Sequence, residues 1–277
     1  MRILVSYRGI PGRPGWASGD AMIRALRTLG HEAIPYGNIY QSQMPIADHW
    51  RDAPPPAADL LLWMECNDRD DQYVELLDLP CRRVLWDFDT SMHEDFTRVL
   101  AEHFETVYVA NHGELRDGWR YLPYGIDAEV FRPRPKPGGR VAIIGTPFPE
   151  RVEFAKATGV QIVSGIYGDD YARAVAELSV HVHHHDSGGD GLLVSRVWET
   201  LASGTVLLTQ DTESIRRHFE DRVHLQLYSD AADCRVKLNE LMARPWRRRE
   251  LADAGRAEIL ARHTWLERAK EILHDLG

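Results

Sequence analysis

The chain has 277 residues, is 44% hydrophobic and 27% charged, and carries a net charge of −9. That length suits two domains of ordinary size, and the acidic balance argues against non-specific binding to nucleic acid or anionic lipid, which both need a basic field. No apolar run approaches the roughly 20 residues needed to cross a bilayer, MRILVSYRG turns polar too soon for a signal peptide, and Cys66, Cys81 and Cys234 lack metal or redox spacing, so a cytoplasmic protein with reduced thiols is the expectation.

Residues 2–7 read as a short buried strand, and a glycine-rich turn follows over 9–19. From Asp20 the apolar residues Ala21, Ile23, Ala25, Leu26 and Leu29 recur at helical spacing, Gly30 is a natural stop, and Ser18 is placed to cap the start. This turn, with Gly15, Ser18 and Gly19, can offer backbone amides to a phosphate or close over an acceptor; a plain surface turn is the alternative. Further strands are expected at 32–36, 60–64, 83–86 and 106–109. Strands separated by helical stretches predict a parallel sheet covered on both faces.

Three prolines and two glycines in FRPRPKPGG (131–139) exclude regular structure and mark a linker. Beyond it the alternation restarts, with strands at 141–145, 160–164, 180–184 and 205–209 and helices at 150–158, 171–178 and 196–203; from residue 231 the chain is mostly helical and charged. The organisation expected is an α/β domain over 1–130, a second over 131–264, and a terminal helix over 265–277. Two parallel sheets facing across a hinge would form a cleft, with ligand-binding residues beyond the carboxyl ends of their strands.

The stretch SRVWETLASGTVLLT is the most informative. Its helix presents Arg196 and Glu199 one turn apart, with Val197, Leu201 and Ala202 on the packed side. A carboxylate near a helix start can accept two hydrogen bonds from a vicinal diol, and a guanidinium beside it can hold a phosphate by a forked contact. Together they suit a ribose phosphate, and hence a nucleotide.

Here Arg196, Val197, Glu199, Ala202, Gly204 and Leu207-Leu208-Thr209 resemble the donor-binding motif of GT-B glycosyltransferases, especially the CgeB-like (spore maturation protein B-like) and glycosyl transferases group 1 branch. YLPYGIDAEVFRP, RVAIIGTPFPERVEF and ARHTWLERAKEIL resemble other segments of that branch in the same order, so the likeness covers most of 121–273; VLWDFDT in the first half is also similar. The resemblance implies two Rossmann-like domains, a nucleoside-diphosphate-sugar donor such as a UDP-sugar, an acceptor hydroxyl, no required cofactor, and a last helix that crosses back to the first domain. The donor site so expected comprises Gly145, Thr146, Arg151, Asp190, Gly191, Leu192, Ser195, Arg196 and Glu199, with a solvated helix start as the alternative for Arg151; Tyr167, which follows a strand, is placed to stack on a nucleobase. Where many relatives have an earlier glutamate, this chain has Gly191, preceded by Asp190. An inverting enzyme needs a base for the acceptor proton, and Asp87, Asp89 and His93 in WDFDTSMHED are the candidates, with capping of the next helix as the rival role. Glu65, Asn67 and Asp68 are weaker ones.

HVHHHD (181–186) raises the question of a metal. On a strand His181, His183 and His185 share one face, with no second ligand cluster, and a structural or substrate-facing role is preferred, with no metal. Three readings compete with a transferase of unspecified acceptor. One is glycosylation of hydroxylated bases in DNA, which needs a basic groove from Arg8, Arg13, Arg134, Lys136 and Arg140. Another is nucleotide-sugar binding without turnover. The last is an unrelated metalloenzyme. PWRRRE (245–250) reads as a solvated basic face paired to Glu250.

Overall fold

A computed structural model describes residues 1–7, 17–36, 55–64, 76–88, 90–92, 94–135, 139–185 and 193–277. The chain divides into two compact units, Met1–Gly125 with Trp265–Gly277, and Ile126–Thr264. The division falls at Gly125 and Ile126 rather than at 130 and 131. The described part of the proline-rich segment therefore lies inside the second unit. Its Phe131 is buried there and meets the Tyr171 ring edge-on at 6.0 Å.

Unit 1 is built on β1 (Arg2–Ser6), β2 (Glu32–Tyr36), β3 (Leu60–Met64), β4 (Arg82–Asp87), β5 (Thr106–Val109) and β6 (Arg120–Tyr121). They form one parallel sheet in the order β2-β1-β3-β4-β5-β6. Leu60 to Met64 are buried throughout, as expected of a strand covered on both faces. Helices α1 (Ser18–Thr28) and α2 (Glu94–Ala101) belong to this unit. Ala17, not Ser18, is the N-cap of α1. The helix begins earlier than its hydrophobic spacing suggests because buried Ala17 and Gly19 bring its first turn under Tyr7. A Cβ on Gly19 would lie 2.0 Å from that ring. The Tyr7 hydroxyl donates to the buried Asp20 carboxylate.

Unit 2 carries β7 (Val141–Ile144), α3 (Pro149–Thr158), β8 (Ile162–Val163), α4 (Gly168–Glu177), β9 (Val180–His183), α5 (Ser195–Ala202), β10 (Val206–Gln210), α6 (Glu213–Arg216), β11 (Gln226–Tyr228), α7 (Ala231–Ala243) and α8 (Pro245–Arg262). Its parallel sheet runs β11-β10-β9-β7-β8. Val197, Leu201 and Ala202 are fully buried on α5, and the chain leaves that helix through Gly204 at φ +63°, a conformation glycine adopts without strain.

Helix α9 (Trp265–Asp275) follows α8 in sequence but packs into unit 1. Trp265 sits edge-on to Trp86 at 5.5 Å, and Ala269, Ile272 and Leu276 complete the same core. A Cβ on Gly125 would lie 2.6 Å from the Trp265 ring. Asp275 accepts from Tyr108 and Arg120, each at 2.7 Å. Among the described residues no helix is long and apolar enough to cross a membrane.

Candidate functional site

The carboxyl ends of β7 and β9 and the start of α5 bring together most of the described donor-site candidates. After Ile144 the chain turns at Gly145, and Arg151 in the first turns of α3 folds back beneath that turn. Its guanidinium is buried, donating from Nη1 to the Thr146 carbonyl at 2.5 Å and from Nη2 to the His184 carbonyl at 3.2 Å. Arg196 approaches from α5. A Cβ on Gly145 would lie 2.8 Å from Arg151 Nη1 and 3.4 Å from Arg196 Cζ, so a side chain there would displace the Arg151 guanidinium. Among the described residues the Arg196 guanidinium has no hydrogen-bond or ion-pair partner, while its carbonyl accepts from Thr200 at 2.6 Å. Two guanidiniums beside a helix N-terminus form a concentrated positive field, the setting for a diphosphate.

Glu199 is one turn further along α5. Its Oε2 accepts from the Tyr171 hydroxyl at 2.5 Å, which ties α5 to α4. Burial raises the Glu199 pKa, while hydrogen bonds from Tyr171 and Ser195 and the charge of Arg196 oppose that rise. Burial and the Glu199 charge hold the Tyr171 phenol well above its usual range. Thr146 is exposed and contributes its carbonyl to Arg151. Tyr167 is 63% exposed at the N-cap of α4. Asp190, Gly191 and Leu192 lie outside the described residues.

The histidine run is knitted into the fold through hydroxyls. His181 is fully buried. Its Nε2 accepts the Ile144 N–H at 3.2 Å, and its Nδ1 meets Thr200 Oγ1 at 2.7 Å. His183 Nδ1 meets Thr209 Oγ1 at 3.2 Å. His184 stacks on Phe154 at 4.0 Å and donates from Nδ1 to the Tyr228 hydroxyl at 3.0 Å, which donates in turn to the His183 carbonyl. Burial pushes His181 down to about 3 and His185 to about 4, with Arg151 and Arg196 adding to both effects. Among the described residues no group of three or more His, Cys, Asp or Glu side chains is arranged to hold a metal.

In unit 1, Asp87 ends β4 and is 1% exposed; its Oδ2 accepts from Thr90 at 2.9 Å and Thr97 at 2.6 Å. That is the setting of an anchor and not of an exposed base. Near it, buried Glu114 accepts the Ser91 N–H at 2.8 Å and the Asn111 amide at 3.3 Å. Burial raises its pKa and the Asp87 charge adds to the rise. Asp89, His93 and Gly15 lie outside the described residues, as do Glu65, Asn67, Asp68, Arg8, Arg13 and Lys136. Arg140 is paired with Glu177 at 3.1 Å, and Arg247 with Glu250 at 3.0 Å.

Tyr171, the His184 carbonyl and the His181–Thr200 pair are not among the groups the sequence singles out. An aromatic hydroxyl in the helix preceding β9 was the available signal for Tyr171. A backbone carbonyl carries no signal at all.

Two parallel α/β units, the second with paired arginines and a carboxylate around one strand-to-helix turn, constitute a GT-B architecture of the glycosyltransferase type. Residues 128–274 match the Glycosyl transferase-like family, and the chain belongs to it. No curated protein sequence matches the chain. Among solved structures, it is similar to Anabaena HepE in complex with UDP and glucose, at 11% identity and TM-score 0.67, covering 100% of this chain and 99% of that one. It is also similar to sucrose-phosphate synthase from Thermosynechococcus elongatus, at 12% identity and TM-score 0.65, covering 100% and 98%. An alpha-glucosyltransferase in complex with UDP and a 13-mer DNA containing a HMU base matches at 10% identity and TM-score 0.66, covering 99% and 98%.

Proposed function

We propose that the protein transfers a sugar from a nucleoside-diphosphate donor, a UDP-sugar, to an acceptor hydroxyl. The observation that carries this reading is the convergence of Arg151 and Arg196 on Gly145 with Glu199 one helical turn beyond. In it Glu199 accepts hydrogen bonds from the ribose diol and the two arginines take the diphosphate. Ser195 and the Gly145–Thr146 turn lie beside the phosphates. As the sugar–phosphate bond breaks, negative charge grows on the leaving diphosphate. Fixed guanidiniums and the N-terminus of α5 stabilise that charge without rearrangement, so a metal ion is not needed for this step. The acceptor proton is assigned to Asp89 or His93, since Asp87 is sealed by two threonines. The UDP and UDP-glucose complexes of HepE support the donor class. The likeness of the Arg196–Thr209 motif supports a transferase of the CgeB-like branch, and the reading has it act in the cytoplasm.

The test is calorimetry with UDP, GDP, ADP, CMP and their sugar conjugates, with and without Mn²⁺. Saturable binding of one nucleotide that is lost in Glu199→Ala is the expected result. A folded protein that binds none of them sinks the reading.

A second reading is that the hydroxyl belongs to a modified base in DNA. The likeness to the DNA-bound alpha-glucosyltransferase favours it. Incubation with UDP-glucose and an oligonucleotide carrying hydroxymethyluracil decides it by the mass of the product strand.

A further inference from the structure

β7 and β9 are ladder partners only at their beginnings. Their parallel register pairs Val141 with Val180 and Ala142 with His181 and then stops. Beyond that point β7 stays with β8, through Ile143↔Ile162 and Ile144↔Val163. β9 continues beside β10, through Leu208↔Val182 and Thr209↔His183. The sheet order places this seam where successive strands switch sides, which is where open α/β sheets bind ligands. Parting a parallel pair has a cost: a buried backbone N–H facing the seam loses its carbonyl acceptor. The N–H so exposed is that of Ile144, and it is satisfied by the side chain of His181.

The hydrogen bonds fix the state of that ring. A backbone N–H can only donate, so Nε2 is the acceptor and the ring hydrogen sits on Nδ1. Nδ1–H then donates to Thr200 Oγ1, and Thr200 donates onward to the Arg196 carbonyl at 2.6 Å. The His181 side chain thus spans from the last residue of β7, next to Gly145, to Thr200 in the second turn of α5, whose hydroxyl bonds back to Arg196 in the first. We propose that His181 is a positioning residue for the donor site, a neutral strut that holds the β7–β9 seam open and sets the spacing between the Gly145 turn and Arg196. The assignment rests on reading that site as diphosphate-binding. Being uncharged, the ring adds no repulsion beneath the two guanidiniums. An aliphatic residue of similar size would leave the Ile144 N–H unpaired and the spacing unset.

The test measures affinity for UDP, for inorganic pyrophosphate and for uridine in the wild type, His181→Leu, His181→Gln, Thr200→Val and the His181→Leu/Thr200→Val double variant, with Glu199→Ala as control. His181→Leu is expected to weaken UDP and pyrophosphate about tenfold while uridine is unaffected. His181→Gln, whose amide oxygen can take the Ile144 N–H, recovers to within about threefold of wild type. The double variant behaves like His181→Leu alone, because both changes break one relay. Hydrogen exchange at the Ile144 amide, measured without ligand, is faster in His181→Leu and protected again in His181→Gln. Wild-type pyrophosphate affinity in His181→Leu overturns the proposal, as does a glutamine variant no better than leucine. If His181→Leu does not fold, the pair Thr200→Val and His181→Gln decides: unchanged pyrophosphate affinity in Thr200→Val overturns it. A wild type that binds neither UDP nor pyrophosphate removes the donor reading and this assignment together. UDP binding that depends on Glu199 but not on His181 removes this assignment alone.

Discussion

Tyr171 and Glu199, on neighbouring helices, share a 2.5 Å hydrogen bond in which the phenol donates to Oε2. The bond fixes one carboxylate oxygen and, with the hydrogen bond from Ser195, holds the group in place despite burial. Tyr171→Phe should keep the ring against Phe131 and lower UDP affinity about threefold to tenfold. Glu199→Ala should lose more, and should also erase any preference for UDP over its 2′-deoxy analogue. Equal discrimination between the two nucleotides in wild type and Glu199→Ala would separate Glu199 from the ribose.

The two arginines differ in what holds them, and their variants should differ too. The Arg196 guanidinium has no hydrogen-bond partner among the described residues, so Arg196→Lys should fold normally and weaken UDP about tenfold through loss of the forked contact. Arg151 also braces the Thr146 and His184 carbonyls, so Arg151→Ala should lower the thermal midpoint as well as the affinity. Uridine binding unchanged in Arg196→Lys would confirm that the loss is confined to phosphate.

Gly145→Ala tests the close approach directly. The added methyl would meet the Arg151 guanidinium at 2.8 Å. A displaced cation predicts roughly tenfold weaker pyrophosphate binding with a modest loss of stability. Retained affinity in isothermal titration would mean that the guanidiniums act from elsewhere.

The histidine run predicts a response to acid. The folded pKa of His181 lies near 3, below its ordinary value of 6.5, because burial and then Arg196 and Arg151 disfavour the cation. Between those values the unfolded chain binds more protons than the folded one. Stability is therefore full above about pH 6.5 and declines as pH falls toward 3, by up to about 1.4 kcal/mol per pH unit for this group. Urea midpoints from pH 7.5 to 4.5 should fall more steeply in wild type than in His181→Gln. Parallel slopes would mean the ring does not stay neutral.

Much of the fold was legible because its strands are apolar runs. Glu32–Tyr36, Leu60–Met64 and Thr106–Val109 occupy the residues expected of them. Arg120–Tyr121 and Gln226–Tyr228 were invisible, since two or three residues carry no periodicity. Arg196 and Glu199 stood out because one helical turn spaces them. The Tyr171–Glu199 contact spans 28 positions and is set by helix packing. By sequence Arg151 suits solvent at a helix start equally well. The Thr146 and His184 carbonyls draw it inward. The Ser18 cap failed for a related reason, because the Tyr7 ring determines where α1 begins.

Trp265→Ala should cost unit 1 about 3–5 kcal/mol, since the ring fills the space between Trp86 and Gly125. Gly125→Ala should destabilise the same core by displacing the ring. Chemical denaturation followed by tryptophan fluorescence reads both, and wild-type midpoints would place the ring outside the core.

Because unit 1 takes α9 from beyond unit 2, the order of synthesis is not the order of completion. The ribosome delivers every strand of the first sheet, then all of unit 2, before the residues that close the first core over Trp86 are made. Unit 2 has its whole sequence available earlier, while unit 1 waits with an apolar surface exposed. A nascent chain stalled before Trp265 should therefore carry one protease-resistant body and one susceptible one, and chaperone demand should concentrate on the half that was translated first.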